Sequence, residues 1–213
     1  MLGLRKMGLI LACGFAVAAI VGAGASAAPP PELKIGVVDA PKIDDNAPRI
    51  KQYKEELDAF GNLLRKKLDI RSQNQMLDEN EIKELIDLST KEKPTDADNA
   101  RIKALVELDR SKYDELQKLQ EAKDPNEQQK ARLNELMDLQ KRSKEMFNAL
   151  SKDYDTQYQN KAMELQGKID TEVRAAVAKV AEAKGLSLVL DKAVVIYGGI
   201  DITDDVVLRL DRK

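Results

Sequence analysis

Of the residue types that most often act in catalysis, this 213-residue chain has no histidine and one cysteine, whereas carboxylate and lysine chemistry remain formally possible. The absence of histidine, the commonest general base and metal ligand, excludes zinc sites and histidine-dependent triads. The adjacent carboxylates of Asp204 and Asp205 are candidates for acid–base chemistry, but the helix dipole also favours acidic residues in a first helical turn. No GxxxxGK(S/T) loop for nucleotide phosphates occurs. We therefore predict a protein that is not an enzyme and holds no cofactor or metal.

Basic residues form two clusters that could contact anions. The formal net charge is only −2, from 35 basic and 37 acidic residues, so nothing indicates a nucleic-acid partner. Each cluster is typical of a solvated helix face, and weak contact with membrane lipid headgroups or lipopolysaccharide is the sharper alternative. The cluster residues are Arg65, Lys66 and Lys67, and Lys141, Arg142 and Lys144.

The first 28 residues are predicted to be a secretory signal peptide. Arg5 and Lys6 precede an apolar run over 7–21, and Ala25-Ser26-Ala27 fits the rule for signal cleavage, with Ala28 an equally good end point. An uncleaved anchor is one alternative. A lipid anchor at Cys13 is another, because residues 10–13 weakly resemble a lipoprotein cleavage box. Cleavage would leave an exported chain without cysteine, and thus without disulfides.

A small β body is predicted from the two ends of the mature chain, residues 29–45 and 185–213. Strands are predicted over 34–39, 186–190 and 193–197, the last two as a hairpin, followed by a helix over 204–210 capped by Thr203. One strand and a hairpin are too small to be stable alone, so we expect copies of this body to associate and bury their apolar residues together. These residues are Ile35, Val37, Leu188, Leu190, Val195 and Tyr197.

The middle, residues 46–184, is predicted to be a long helical arm. Charged residues make up 34% of the chain and aromatic residues 4%, a balance typical of long, solvated helices. A heptad seam begins the arm, and capping patterns predict new helix starts at Asp78 and at Asp124, with Pro125 in the first helical position. The last helix has an eleven-residue period, which favours a nearly straight rod. The seam consists of Ile50, Tyr53, Leu57, Phe60 and Leu64, and the eleven-residue series includes Phe147, Tyr158, Ile169 and Val180.

An internal repeat lies within the arm. Residues 84–110 recur at 115–141 with 8 of 27 positions identical, including the proline and the Ala-Arg pair. We interpret the repeat as a duplicated helix–turn–helix unit that lengthens the arm. The arm tip is then expected near 92–94 or near 123–125.

Both ends of the mature chain resemble the OmpH/Skp family of periplasmic chaperones. The resemblance is carried by residues 34–39, 185–191, 194–197 and 201–208, whereas the middle matches only in character. It implies a mainly α fold in which a long helical-hairpin arm, coiled-coil-like, projects from a short three-stranded sheet with a C-terminal helix. It also implies a homotrimer whose arms surround a cavity that holds unfolded outer-membrane or other exported proteins without ATP.

Client contacts are expected from apolar residues scattered among the charges of the arm. Flexible methionines suit promiscuous binding, although most arm residues of this kind pack within their own hairpin. The alternative function is an exported structural coiled-coil spacer or envelope tether without a client. The candidate contact residues are Leu133, Leu136, Met137, Met146 and Phe147.

Overall fold

The computed structural model describes residues 32–211, so the predicted signal peptide and Cys13 lie outside the described residues. Within this range no helix is both long enough and apolar enough to cross a membrane. The elements are β1 (Ile35–Val38), α1 (Ala40–Asn46), α2 (Pro48–Gln73), α3 (Glu79–Ser89), α4 (Asp96–Glu121), α5 (Glu127–Lys184), β2 (Leu188–Asp191), a 3-10 turn (Lys192–Val194), β3 (Ile200–Asp201) and α6 (Thr203–Asp211).

The β body contains the predicted three-stranded sheet, in the order β2-β1-β3. Both neighbours run parallel to β1: Ile35 lies opposite Leu188, and Gly36 opposite Ile200. The sheet and the long helices together confirm the predicted fold class. The predicted hairpin is wrong, since the two C-terminal strands flank β1 and do not pair with each other.

The stretch predicted as the third strand, residues 193–197, is not a strand. The Asp191 carboxylate accepts a backbone hydrogen bond from two residues later (2.8 Å), which favours a 3-10 turn over a hairpin turn. The chain continues through Gly198 and Gly199, whose φ values are 89° and 92°, before it forms β3. A Cβ on Gly199 would lie 2.5 Å from Cγ1 of Val37, so this close crossing of β1 requires glycine.

Thr203 joins the two ends of the body and is not the helix cap that the sequence predicts. Its Oγ1 accepts a hydrogen bond from the Asp39 backbone amide (3.0 Å), and its own amide donates to Asp201 (3.0 Å). Because Asp201 accepts this bond, α6 begins at Thr203 itself. The core beneath the sheet consists of Ile43, Ala47, Ile50, Ala176, Val180, Ile202 and Val206.

The part of the arm next to the body is a pair of antiparallel helices, α2 and α5. Ile50, Tyr53 and Leu64 are buried, and Leu57 and Phe60 are half-buried, so the predicted seam faces the partner helix. Ion pairing follows the same register, with Lys161 of α5 2.7 Å from Glu56 of α2. The Tyr158 ring lies over the helical notch at Gly61, where a Cβ would be 3.0 Å from Cε2.

The chain then folds back before it continues outward. Asp78 and Glu81 form the predicted capping box at the start of α3, and Lys66 of α2 donates to the Ser89 carbonyl at the end of α3 (2.6 Å). Helix α3 therefore runs antiparallel to α2, toward the body, and α4 leads outward again. Side chains of all four arm helices form one core at this level: Leu77, Ile82, Leu85, Ile86 and Leu105, with Ile70, Ile102 and Met146 packed against them.

The arm tip is the turn at residues 122–126, beyond the end of α2. Only α4 and α5 continue to this point. Before they reach it, Leu116 and Leu136 pack together with Met76, which lies just after the end of α2. Helix α5 has 58 residues and, at 1.5 Å per residue, is about 87 Å long. It begins after Asn126, which forms a capping box with Gln129, so the predicted cap at Asp124 is two residues too early.

Candidate functional site

The β body exposes large apolar side chains in the loop that follows β2. Ile196 is fully exposed, Tyr197 is 97% exposed and Val194 is 71% exposed. Among the residues predicted for trimer contact, Leu188 is 46% exposed and Val37 is 4% exposed. The other three, Ile35, Leu190 and Val195, are half-buried. An exposed apolar patch of this kind is typical of a protein–protein contact.

The carboxylates of Asp204 and Asp205 do not act as a pair. Asp204 binds Lys42 of α1 (2.8 Å), and Asp205 binds Lys184 at the end of α5 (2.8 Å). These ion pairs attach α6 to two different helices. Within residues 32–211 no group of three or more metal-ligating side chains occurs.

The two copies of the repeat make equivalent ion pairs, which we call the repeat ion pairs. Arg101 donates to Glu84 through Nε and Nη2 (2.8 and 2.7 Å), and Arg132 donates to Glu115 in the same way (3.0 and 2.8 Å). Each hydrogen-bonded guanidinium lowers the pKa of its glutamate. Both bonds are bidentate, which adds geometric specificity to the contact between the two helices.

The caps and cores of the two copies also correspond. Thr95 with Asp98 and Asn126 with Gln129 form capping boxes 31 residues apart. The matching core leucines are at most 1% exposed: Leu85 with Leu116, and Leu105 with Leu136. Helix α4 serves as the second helix of the first copy and the first helix of the second.

Arg71 is a buried cation at the turn between α2 and α3, which we call the elbow (residues 74–78). The side chain is 1% exposed, and its Nη1 donates to the carbonyls of Asn74 (3.2 Å) and Leu77 (3.4 Å). From α4, Asp109 accepts a hydrogen bond from the Met76 amide (2.6 Å). Burial lowers the pKa of the Arg71 guanidinium and raises the pKa of the Asp109 carboxyl. The elbow backbone is thus held by Arg71, which binds two of its carbonyls, and by the Asp109 carboxylate, which binds one of its amides.

A cavity of about 290 Å³, which we call the elbow cavity, lies beside Arg71. The sequence analysis did not identify Arg71, although a signal existed: it lies seven residues after Leu64 and so occupies the next core position of the heptad seam. The lining residues are Arg71 and Ser72 from the end of α2, Gln75 from the elbow, and Ser143, Lys144, Phe147 and Asn148 from α5.

The predicted client-contact residues lie in different environments. Met137 is 48% exposed, while Leu133, Met146 and Phe147 are half-buried. Leu136 is 1% exposed and packs against Met76 and Leu116, so its placement on the arm surface is wrong. The eleven-residue spacing and the leucine repeat do not distinguish a core leucine from its exposed neighbour.

Comparison with known proteins identifies the family. The family model described as "Outer membrane protein (OmpH-like)" matches residues 92–210, more than half of the chain, from the turn before α4 to α6. No curated protein matches the chain. The family is one of periplasmic chaperones and not of enzymes. A long helical arm on a small sheet agrees with this match, and the chain belongs to the OmpH-like family.

Proposed function

We propose that the protein is an ATP-independent periplasmic holdase that binds unfolded outer-membrane proteins between the arms of a homotrimer. The observation that carries the proposal is an arm whose α5 helix alone has 58 residues, projecting from a body with only three short strands. Because the chain belongs to a family of periplasmic chaperones, we interpret this shape as that of a chaperone. Export by the predicted signal peptide is part of the proposal.

The exposed loop after β2 supports assembly through the body. Ile196 and Tyr197 would be buried if three copies closed around a shared axis, as an oligomer of cyclic symmetry requires. The contact residues that we propose are Ile35, Leu188, Leu190, Val195 and Tyr197. Val37 is omitted because it is 4% exposed and already buried within one copy, so its placement at the trimer contact is wrong.

The arm surface supports weak, non-specific binding of extended chains. Exposed apolar residues occur singly among charged side chains: Val106 is 43% exposed, Tyr113 46%, Met137 48% and Met163 66%. Each can bury a small apolar area on a client, and many such contacts can add up without a fixed sequence preference. We retain Leu133, Met137, Met146 and Phe147 as client contacts and omit Leu136.

The second candidate function is an envelope spacer without clients. The repeat ion pairs and capping boxes favour it, because they stiffen the arm at regular intervals. A spacer needs stiffness alone, whereas a holdase also needs a cavity and an accessible apolar surface.

Aggregation of a urea-denatured β-barrel protein, diluted into buffer with residues 29–213 and without ATP, separates the two functions. A holdase in threefold molar excess should delay light scattering, and a spacer should not. Sedimentation should give the mass of a trimer, and Tyr197→Glu should shift it to the monomer, while Met163→Glu on the arm should not. A wild-type monomer at micromolar concentration would contradict the proposal.

Localisation and membrane contact have separate tests. N-terminal sequencing of the exported protein should begin at Ala28 or Pro29, and Cys13→Ser should leave its release into the periplasm unchanged. Membrane retention that Cys13→Ser abolishes would instead show a lipid anchor. Weak contact of the two basic clusters with lipid or lipopolysaccharide predicts salt-sensitive binding to anionic vesicles.

A further inference from the structure

We propose that the elbow cavity binds a carboxylate of the client polypeptide, namely an Asp or Glu side chain flanked by apolar residues. The inference rests on the proposed function, because a client supplies the ligand. It gives the arm a preference for acidic segments at one defined position, the level at which all four arm helices meet.

The charges of the lining residues favour an anion. Arg71 and Lys144 both border the cavity, and no acidic residue does. Neither side chain forms an ion pair with any residue in the range 32–211. By comparison, Lys112, at the same four-helix level, binds Glu81 at 2.7 Å.

The Arg71 guanidinium lacks a full set of partners. Its Nε is the only buried side-chain nitrogen or oxygen in the described chain without a hydrogen bond. The carboxylate of Asp109 acts on it only through space, since its Oδ1 binds the Met76 amide and no Arg71–Asp109 ion pair forms. A buried cation without a bonded counter-ion is unfavourable. Because Arg71 is 1% exposed, a carboxylate in the cavity would bind Lys144 directly and would supply a counter-charge to Arg71 through space.

The other lining residues favour a carboxylate on an apolar stem over a phosphate. Most of the cavity surface is hydrocarbon, and Phe147 contributes its ring. A doubly charged phosphate would lose more hydration on entering such a site than a carboxylate would. A volume of about 290 Å³ is near the lower limit for ligand pockets and suits one or two side chains. Ser143 and Asn148 add side-chain donors on α5.

A structural role for Arg71 alone is the alternative, and Lys144 distinguishes it from the proposal. Arg71 binds two elbow carbonyls, so its replacement would disturb the fold whichever role is correct. Lys144 is exposed and has no such bonds in the described chain, so Lys144→Gln should leave the fold intact. Lys141, three residues earlier in the same basic cluster and outside the cavity lining, provides the matched control, Lys141→Gln.

The test is binding of two fluorescent peptides, Ala-Phe-Glu-Phe-Ala-amide and the same peptide with Gln in place of Glu, to the assembled wild type and both variants. We expect the Glu peptide to bind about tenfold tighter than the Gln peptide, as one charge-assisted contact of about 1.4 kcal/mol implies. Lys144→Gln should remove most of this preference, and Lys141→Gln should retain it. Equal affinities for the two peptides, or equal losses in the two variants, would overturn the proposal.

Competition and aggregation assays complete the test. Benzoate should displace the Glu peptide at lower concentration than inorganic phosphate does; the reverse order would overturn the carboxylate assignment. If the peptide preference is found but the protein does not delay aggregation, the proposed function fails and the cavity assignment stands. If aggregation is delayed without any preference for Glu, the cavity assignment alone fails.

Discussion

Replacing Leu136 by alanine tests whether the end of the arm has a true hydrophobic core. Leu136 is 1% exposed and packs with Met76 and Leu116, so its truncation leaves a cavity between α4 and α5. Truncation of a buried leucine to alanine lowers the free energy of unfolding by about 2–5 kcal/mol, because apolar burial is lost and a cavity remains. Besides Met76 from the elbow, only the two helices α4 and α5 surround this site, so it can partly collapse around the gap. We therefore expect about 2–3 kcal/mol, toward the lower end of that range.

The matched control is Met137→Ala at the next position. Met137 is 48% exposed, so its truncation removes little buried surface and should change the free energy of unfolding by less than about 1 kcal/mol. Leu105→Ala, the equivalent substitution in the first repeat copy, should resemble Leu136→Ala because Leu105 is 0% exposed. It should equal or exceed it in size, since four helices surround that site and limit its collapse.

Urea unfolding followed by far-UV circular dichroism, at one fixed protein concentration, measures these differences. Amide hydrogen exchange should locate the loss of protection for Leu136→Ala in the second half of α4 and the start of α5. A larger loss of stability in Met137→Ala than in Leu136→Ala would refute the assignment of Leu136 to the core. It would place Leu136 back among the surface residues available to clients.

Three further predictions concern the ion pairs, the body and its glycines. Double-mutant cycles on the two repeat ion pairs should give small coupling energies of similar size that fall with added salt; a large value in one copy only would refute their equivalence. The pKa of Asp201 is about 2, compared with an ordinary 3.8, because Thr203 donates hydrogen bonds to its carboxylate. The ionised Asp201 should therefore stabilise the body above pH 3.8, and this stabilisation should be lost as the pH falls toward 2. Acid titration of Asp201→Asn should show a weaker pH dependence in that window, and an unchanged titration would contradict the hydrogen bonds. Gly199→Ala should lower the free energy of unfolding by about 2–4 kcal/mol, because it adds left-handed backbone strain and a clash with Val37. Gly198→Ala adds the strain alone and should lower it by about 1–2 kcal/mol in the same urea measurement. Equal losses would refute the close crossing.

Local patterns in the sequence predict the helical part of the fold well. The seam from Ile50 to Leu64 faces the partner helix, and the capping box at Asp78 forms as its spacing predicts. These signals act between residues a few positions apart, so each stretch of chain carries them independently. The repeat also predicts structure, because corresponding residues of its two copies form equivalent ion pairs.

The features that were mispredicted depend on contacts between distant residues. Residues 193–197 have strand-forming side chains, yet β1 takes its second neighbour from residues 200–201. Thr203 is a good cap locally, but its hydroxyl binds Asp39, which is 164 residues away. The heptad pattern did not identify Arg71, because a charged residue at a seam position gives no apolar signal; two elbow carbonyls accept hydrogen bonds from its Nη1 there.

The even number of passes along the arm restricts how this chain could change in length. The chain travels outward in α2, inward in α3, outward in α4 and inward in α5, and only an inward last pass can deliver β2 to the side of β1. Loss of a single pass, such as the turn and helix at 95–125, would make α5 run outward. Strands β2 and β3 would then lie at the far end of the arm, away from β1. One 31-residue repeat unit adds one turn and one helix, which is a single pass, so growth of the arm by one unit must be accompanied by a second pass. Otherwise the arm can change in length only by equal trimming of two facing helices.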